Sequence, residues 1–268
     1  MLQNITVIIP CKNEQKNIGR CLEALHQFEN VIVVDSSSSD NTPSIVQEHK
    51  RTYVNFKWNG EYPKKRNWAL ENVPINTEWV LFLDADEIIT TKFTSELVRV
   101  LAANNDISGY WLTYKQFFLG KELKFGERQR KLALFRKGEI RYERIEVDGD
   151  QYDMEIHEHP VIRGKTKTLD VQIHHDDFRS IEHTIEKHSV YAKWEVSRYR
   201  NLQITDKKNF SKRQKVKYSL LKYRALSEIY FIYIYFLRLG ILDGIAGLRY
   251  ALLKRNYFKE IYHLLCHD

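Results

Sequence analysis

Four short apolar runs punctuate the first ninety residues: Ile5–Ile9, Val31–Val34, Val54–Phe56 and Trp79–Leu83. Between them apolar residues fall at helical spacing, first Ile18, Cys21, Leu22 and Leu25, then Ile45 and Val46, then Trp68, Ala69 and Leu70. Continuous Val/Ile runs alternating with helices predict an α/β fold with a mostly parallel sheet covered on both faces. In such sheets ligands collect at the carboxyl ends of the strands, so the polar residues that follow each run carry the interest. After Leu83 the pattern changes. A helix is predicted from Thr94 to Ala103, then short strands at Gly109–Phe118, Leu132–Phe135 and Leu169–Ile173 with charged turns between them. An amphipathic helix follows from Ser180, a plausible N-cap, to Tyr199. The expected division is one domain over residues 1–178, whose halves are 1–103 and 104–178, and a helical extension over 179–268.

Composition narrows the class. With 43% hydrophobic and 13% aromatic residues among 268, the chain is far too apolar for disorder. Three cysteines, Cys11, Cys21 and Cys266, form no close pair and suggest neither a disulfide framework nor a zinc knuckle. The first apolar run lacks the basic flank and cleavage site of a signal peptide and reads as a buried strand. Charge is uneven: beyond residue 200 the chain has 13 Lys and Arg against 5 Asp and Glu, while its net charge is +7. The body is therefore close to neutral and the tail is basic.

Chemistry concentrates after the strands. Leu81-Phe82-Leu83 delivers Asp84 and Asp86 to the sheet edge, where hard oxygen ligands suit Mg²⁺ or Mn²⁺ bridging to a diphosphate. The competing reading is a solvated acidic turn. Val31–Val34 ends in Asp35, followed by Ser36–Ser39 and a helix start at Asp40-Asn41-Thr42. Asp35 and Ser37 suit a base or ribose hydroxyls, whereas Asp40 or Thr42 suits a helix cap. Pro10-Cys11-Lys12-Asn13-Glu14 follows the first strand and suits a nucleoside. Lys64-Lys65-Arg66-Asn67 opens a helix and suits phosphate or base, the alternative being a charged surface turn.

Together these segments resemble the inverting family-2 glycosyltransferases of the GT-A, Rossmann-like fold. The resemblance rests on strand-Pro-x-x-Asn-Glu, strand-Val-Asp-Ser-x-Ser-x-Asp-x-Thr, Arg-Asn-x-Ala and strand-Asp-Ala-Asp-Glu, in that order. It is greatest to the bacterial branch that adds glucose to the lipopolysaccharide inner core. Gly126 to Arg136, His157-Glu158, Gly164, Leu169, His174 and the tail pattern Phe236-Leu237-Arg238-x-Gly240-x-Leu242-Asp243-Gly244-x-x-Gly247 fall in that branch's order.

The resemblance implies a nucleotide-binding half over 1–103 and an acceptor half over 104–178. It implies a UDP-sugar donor, UDP-glucose in the nearest branch, with Mg²⁺ or Mn²⁺ as cofactor and a lipopolysaccharide-core or other cell-envelope glycan or glycolipid as acceptor. Asp84 would meet ribose and metal, Asp86 would be the stronger metal ligand, and Asp35 would meet uracil or ribose. Pro10, Asn13 and Glu14 would line the nucleoside. His174 would complete the metal site. Relatives place the catalytic base in a Glu-Asp pair; here Asp153-Met154-Glu155-Ile156-His157-Glu158-His159 stands instead, with Glu158 the expected base and Glu155 the reserve.

In the tail, Ile229–Leu237 is apolar but bounded by Glu228 and Arg238, about half of the roughly 20 residues a span needs. Its aromatics and nearby basic residues suit peripheral contact with the inner membrane face, or packing on the body or on a second subunit. The expected location is cytoplasmic, without a nucleic-acid partner; a homo-oligomer stays open. Other readings are a nucleotidyltransferase, disfavoured by the absence of a glycine-rich basic loop after the first strand, and a basic-tailed nucleic-acid or membrane-binding protein without enzymatic activity.

Overall fold

The computed structural model describes residues 2–103, 106–144, 159–177, 179–202 and 212–267. In chain order the strands are β1 (Leu2–Cys11), β2 (Phe28–Asp35), β3 (Thr52–Asn55), β4 (Trp79–Phe82), β5 (Glu87–Ile88), β6 (Ile107–Phe118), β7 (Lys121–Leu123), β8 (Arg130–Arg136), β9 (Ile140–Tyr142), β10 (Pro160–Ile162) and β11 (Lys165–His175). The helices are α1 (Ile18–Ala24), α2 (Thr42–Glu48), α3 (Lys65–Asn72), α4 (Thr91–Ala102), α5 (Ile181–Leu202), α6 (Lys212–Leu220), α7 (Ala225–Ile232) and α8 (Gly244–His267).

Two compact units divide the chain. The first takes the described residues up to Phe117 with 128–144 and 159–177; the second takes 118–127 with the helical residues from 179 onward. Within the first, the main sheet runs β3-β2-β1-β4-β8-β6-β11-β5. Strands β3, β2, β1 and β4 are mutually parallel, β8 is antiparallel to β4 and β6, and β11 is parallel to β6. Strand β1 explains why. Its alternate residues Val7 and Ile9 face one core with Cys21 and Leu22 of α1 and Phe93 and Leu97 of α4, while Ile8 faces another with Ala69 of α3. A strand buried on both faces has no solvated side, hence its unbroken apolar run. Helix α4 is opened by Thr90, whose hydroxyl accepts from the Phe93 amide at 3.2 Å.

Register sets the carboxyl edge. Cys11 pairs with Asp35 and Asp35 with Asn55, so the first three strands end level. The Leu83 amide still donates to Ile8 O at 3.1 Å, which places the Asp84–Asp86 turn just beyond that edge. The two-residue β5 then pairs Ile88 with His174 and Glu87 with His175, bringing the end of β11 to the same turn.

The second unit is built on α5, α7 and α8. Ser180 Oγ accepts from the His183 amide at 3.3 Å and opens α5. Ala192, Val196, Tyr218, Leu221 and Ile261 form one core, and Ile234, Tyr250 and Ala251 another.

Candidate active site

Asp84 stands between two cations: Lys131 Nζ lies 2.9 Å from Oδ2 and Arg66 Nη2 lies 3.2 Å from Oδ1. The same ammonium reaches Glu87 at 3.2 Å, and Glu87 accepts from the Asp84 amide at 3.0 Å. Desolvation pushes the Asp84 carboxyl up, but Lys131 and then Arg66 outweigh it and hold it well below the ordinary carboxylate range. Glu87, only 2% exposed, goes the other way. Burial pushes it up to about 7 against the pull of Lys131, and the Asp84 charge adds to the rise. Lys131 itself is raised: desolvation lowers it, but Asp84 and Glu87 prevail.

Asp86 meets a further partner beside this cluster. Its Oδ2 lies 3.5 Å from His175 Nε2, and its backbone oxygen accepts from the Asp176 amide at 3.0 Å. The His175 ring meets Tyr114 edge-on at 6.0 Å, whereas the His174 ring lies against Phe117 at 5.3 Å. Successive residues of a strand point to opposite faces, so only one of the two histidines can reach the acidic turn. It is His175.

Asp35 is fully buried and closely engaged. Oδ1 accepts from Ser38 Oγ at 2.5 Å and from Cys11 Sγ at 3.5 Å; Oδ2 accepts from the Ser38 amide at 2.9 Å and from Tyr53 Oη at 2.8 Å. Burial and that contact with Asp35 push the Tyr53 hydroxyl up to about 12. In this arrangement Asp35 holds the serine loop in place. The loop is joined to the turn after β1, because Asn13 N donates to Ser38 Oγ at 2.7 Å and Asn13 Oδ1 accepts from the Ser39 amide at 2.9 Å. Asn13 and Ser37 both adopt the left-handed region, φ 55° and 54°, within these hydrogen-bonded turns. Ser37 Oγ donates to Asn55 at 2.9 Å, Glu14 N donates to Thr42 Oγ1 at 2.8 Å, and Pro10 sits half-buried opposite Val34.

Lys64-Lys65-Arg66-Asn67 is not a solvated turn: Lys64, Lys65 and Asn67 are buried. Lys65 Nζ donates to Cys11 O at 3.1 Å, and Asn67 exchanges two 2.9 Å hydrogen bonds with the Tyr142 backbone. The Arg66 guanidinium lies over the Tyr142 ring at 5.3 Å, which fixes it as it reaches Asp84.

Glu158 and Glu155 lie outside the described residues. Among the described residues no three His, Cys, Asp or Glu side chains are grouped to hold a metal by themselves. Asp86 and His175 nonetheless offer one carboxylate and one imidazole, a donor pair that suits a transition-metal ion such as Mn²⁺ better than Mg²⁺, with substrate phosphates filling the rest of the shell. Asp84 fits that role less well while Lys131 and Arg66 occupy its oxygens. Lys131 falls within the Gly126–Arg136 segment that carries the resemblance, but neither its position before an apolar run nor Tyr114's place in an alternating strand indicates a contact with the acidic turn.

An acidic turn and polar loops on the carboxyl edge of a parallel half-sheet define an α/β protein whose candidate ligand site lies at that edge. Residues 6–153 match the family described as Glycosyl transferase family 2, more than half of the chain, and the chain belongs to that family. It is similar to the lipopolysaccharide core biosynthesis glycosyltransferase LpsC of Rhizobium meliloti, at 28% identity over 52% of this chain and 53% of that protein. It is also 30% identical to the Bacillus subtilis glycosyltransferase SunS, over 36% of this chain and 23% of SunS. The chain thus spans about half or less of the length of these curated relatives. Among solved structures, S. aureus TarS 1–349 aligns over 97% of this chain and 90% of its own, at 16% identity and a TM-score of 0.44. Glucosyl-3-phosphoglycerate synthase from Mycobacterium tuberculosis, in complex with Mn²⁺, UDP-glucose and glycerol 3-phosphate, aligns over 44% of this chain and 45% of its own at a TM-score of 0.33.

Proposed function

We propose that this chain is a metal-dependent, inverting hexosyltransferase of GT-A type that moves glucose from UDP-glucose to a hydroxyl of a lipopolysaccharide-core glycan. The observation that carries the reading is the division of labour in the acidic turn. Asp84 is committed to Lys131 and Arg66, while Asp86 stands beside His175 as a donor pair for the ion. Family membership supports sugar transfer, and the similarity to LpsC supports the acceptor class.

Within this reading the residues have separate tasks. A divalent ion, when bound by Asp86 and His175, supplies positive charge for the departing diphosphate. Arg66 lies where it can add a second positive charge, its orientation held by Tyr142. Asp35 and Tyr53 fix the Ser36–Ser39 loop, and with the Asn13-Glu14 turn that loop forms the floor for the nucleoside. Asp84, 37% exposed while held by Lys131 and Arg66, accepts from the ribose hydroxyls with the remaining lone pairs of its oxygens. Glu158, with Glu155 as reserve, takes the proton of the acceptor hydroxyl as its oxygen attacks the anomeric carbon opposite the leaving diphosphate, which inverts that carbon.

The test is turnover with a panel of UDP- and GDP-sugars and a core-oligosaccharide acceptor, with and without Mn²⁺. Asp86→Ala should abolish metal-dependent transfer, and Glu158→Gln should lower kcat by about a hundredfold or more. Undiminished transfer by Glu158→Gln moves the base to Glu155; absence of turnover with every donor removes the hexosyltransferase reading.

A further inference from the structure

Ten of the sixteen large apolar side chains that lie exposed among the described residues fall between Ile229 and Leu252. Surfaces usually scatter such residues singly, and a contiguous group of them marks an interface. Here the grouping follows the backbone. Ile229, Ile232, Tyr233, Phe236 and Leu237 recur at the i, i+3, i+4, i+7, i+8 spacing of one helical face. Their opposite face is apolar too: Ile234 packs with Tyr250 and Ala251, flanked by Tyr230, Phe231 and Tyr235. One apolar side is therefore used by α8 and the other is uncovered. The exposed series continues around the bend through Leu239, Ile241, Leu242 and Ile245, with Leu237 at 72% and Ile245 at 71% exposure.

The bend is firmly built. The limbs Ala225–Leu237 and Gly240–His267 meet at 70°. Leu239 takes φ 60° at the corner; a Cβ on Gly240 would lie 2.9 Å from Ile234 O of the first limb, and one on Gly247 would lie 2.0 Å from Gly240 O, so glycine at both positions permits the close packing of the bend. Buried Asp243 accepts from the Lys124 and Phe125 amides at 3.0 Å each, and Arg238 and Gly126 exchange hydrogen bonds through Arg238 Nε and the Gly126 amide at 3.1 and 2.9 Å. Exposure of the tip follows from this framework.

Charge identifies the occupant. Lys222 and Arg224 are exposed just before the first limb begins, and Arg238 and Arg249 are exposed within the apolar series itself. Its two acids are both engaged: Asp243 is buried in the contacts above, and Glu228 pairs with Arg255 at 2.6 Å. A second protein copy would bring the same basic rim against itself. A bilayer surface bearing anionic lipid offers apolar depth and negative headgroups together.

We propose that the Leu237–Ile245 elbow is a shallow membrane anchor, seating its apolar tip at the boundary between headgroups and acyl chains while the surrounding Arg and Lys meet lipid phosphates. No single helix among the described residues is long and apolar enough to cross a membrane; only the two limbs of this bend taken together reach that length and composition. The proposal rests on the second unit alone and is independent of the donor and acceptor assigned above.

The test is co-sedimentation of the full chain with vesicles of phosphatidylcholine alone and of phosphatidylcholine mixed with an equal part of phosphatidylglycerol. Wild type should pellet with the anionic vesicles and much less with the neutral ones. The double substitution Leu237→Asp and Ile245→Asp, at the two most exposed positions of the series, should weaken that binding about tenfold or more. Val98→Asp, at an exposed apolar position of the first unit, should leave it unchanged. A wild type that ignores anionic vesicles, or a double variant that binds them undiminished, overturns the anchor. So does a dimer in sedimentation analysis that the double variant dissociates while neither protein binds vesicles, since the face then belongs to a second copy.

Discussion

Lys131 extends one ammonium to two carboxylates, 2.9 Å from Asp84 and 3.2 Å from Glu87, and Glu87 is almost wholly enclosed. Removing it leaves two acids in mutual repulsion with Arg66 as the remaining cation on Asp84. Lys131→Met should therefore destabilise the protein by about 1–3 kcal/mol, less than for a fully buried pair because Glu87, already raised to about 7, can take up a proton and Asp84 is partly exposed. Urea denaturation checks this, and a variant as stable as wild type would show that the cluster contributes nothing. Asp84 and Asp86 should respond differently to amidation. Asp86→Asn should raise the Mn²⁺ concentration needed for turnover, while Asp84→Asn should act mainly on the donor KM; saturation curves in metal and in donor separate the two. Strand ends made this site readable, because a carboxylate directly after a buried apolar run has a place at the sheet edge. The histidine was less readable. His174 and His175 are adjacent, alternation assigns one to each face, and only the antiparallel pairing with β5 directs His175 to Asp86.

Elements with long apolar runs, β1, β2, β4 and β8, could be read directly, since burial on both faces leaves a continuous signature. Strands β5, β9 and β10 are two or three residues long, too short for any period to register, yet β5 closes the site and β9 receives Asn67 and Arg66. In the second unit the glycine pair at the elbow makes a sharp prediction. Gly247→Ala forces a methyl into the Gly240 carbonyl and should cost about 1–3 kcal/mol as the helix shifts, seen as a lower unfolding midpoint. The packing of α5 on α8 adds a pH dependence. Burial lowers the His188 imidazole to about 4, with Lys254 and Lys187 adding to the effect, and its ring faces Tyr257 at 5.3 Å. The unfolded chain takes up that proton at a higher pH than the folded one. Stability from this group is thus complete above about pH 6.5 and is lost as pH falls toward 4. Thermal melts across that window should show His188→Phe with a shallower decline than wild type; identical slopes would exclude His188 as the source.

On the scale of the whole chain, charge and apolar surface are segregated in sequence. The near-neutral first 200 residues hold the acidic turn and the nucleoside loops, and the basic remainder holds the exposed apolar elbow. This asymmetry was visible in composition, but the elbow was not: an apolar stretch reads the same whether its outer face packs or stays open, and only the fold distinguishes them. The central claim is that the Asp84–Asp86 turn binds a nucleoside diphosphate through a divalent ion held by Asp86. Calorimetric titration of UDP into the protein, with and without Mn²⁺, tests it most directly in wild type and Asp86→Ala. Mn²⁺ should tighten UDP binding to wild type by about tenfold or more and have no such effect on Asp86→Ala. Binding of UDP to wild type that is absent, or indifferent to Mn²⁺, would contradict the account.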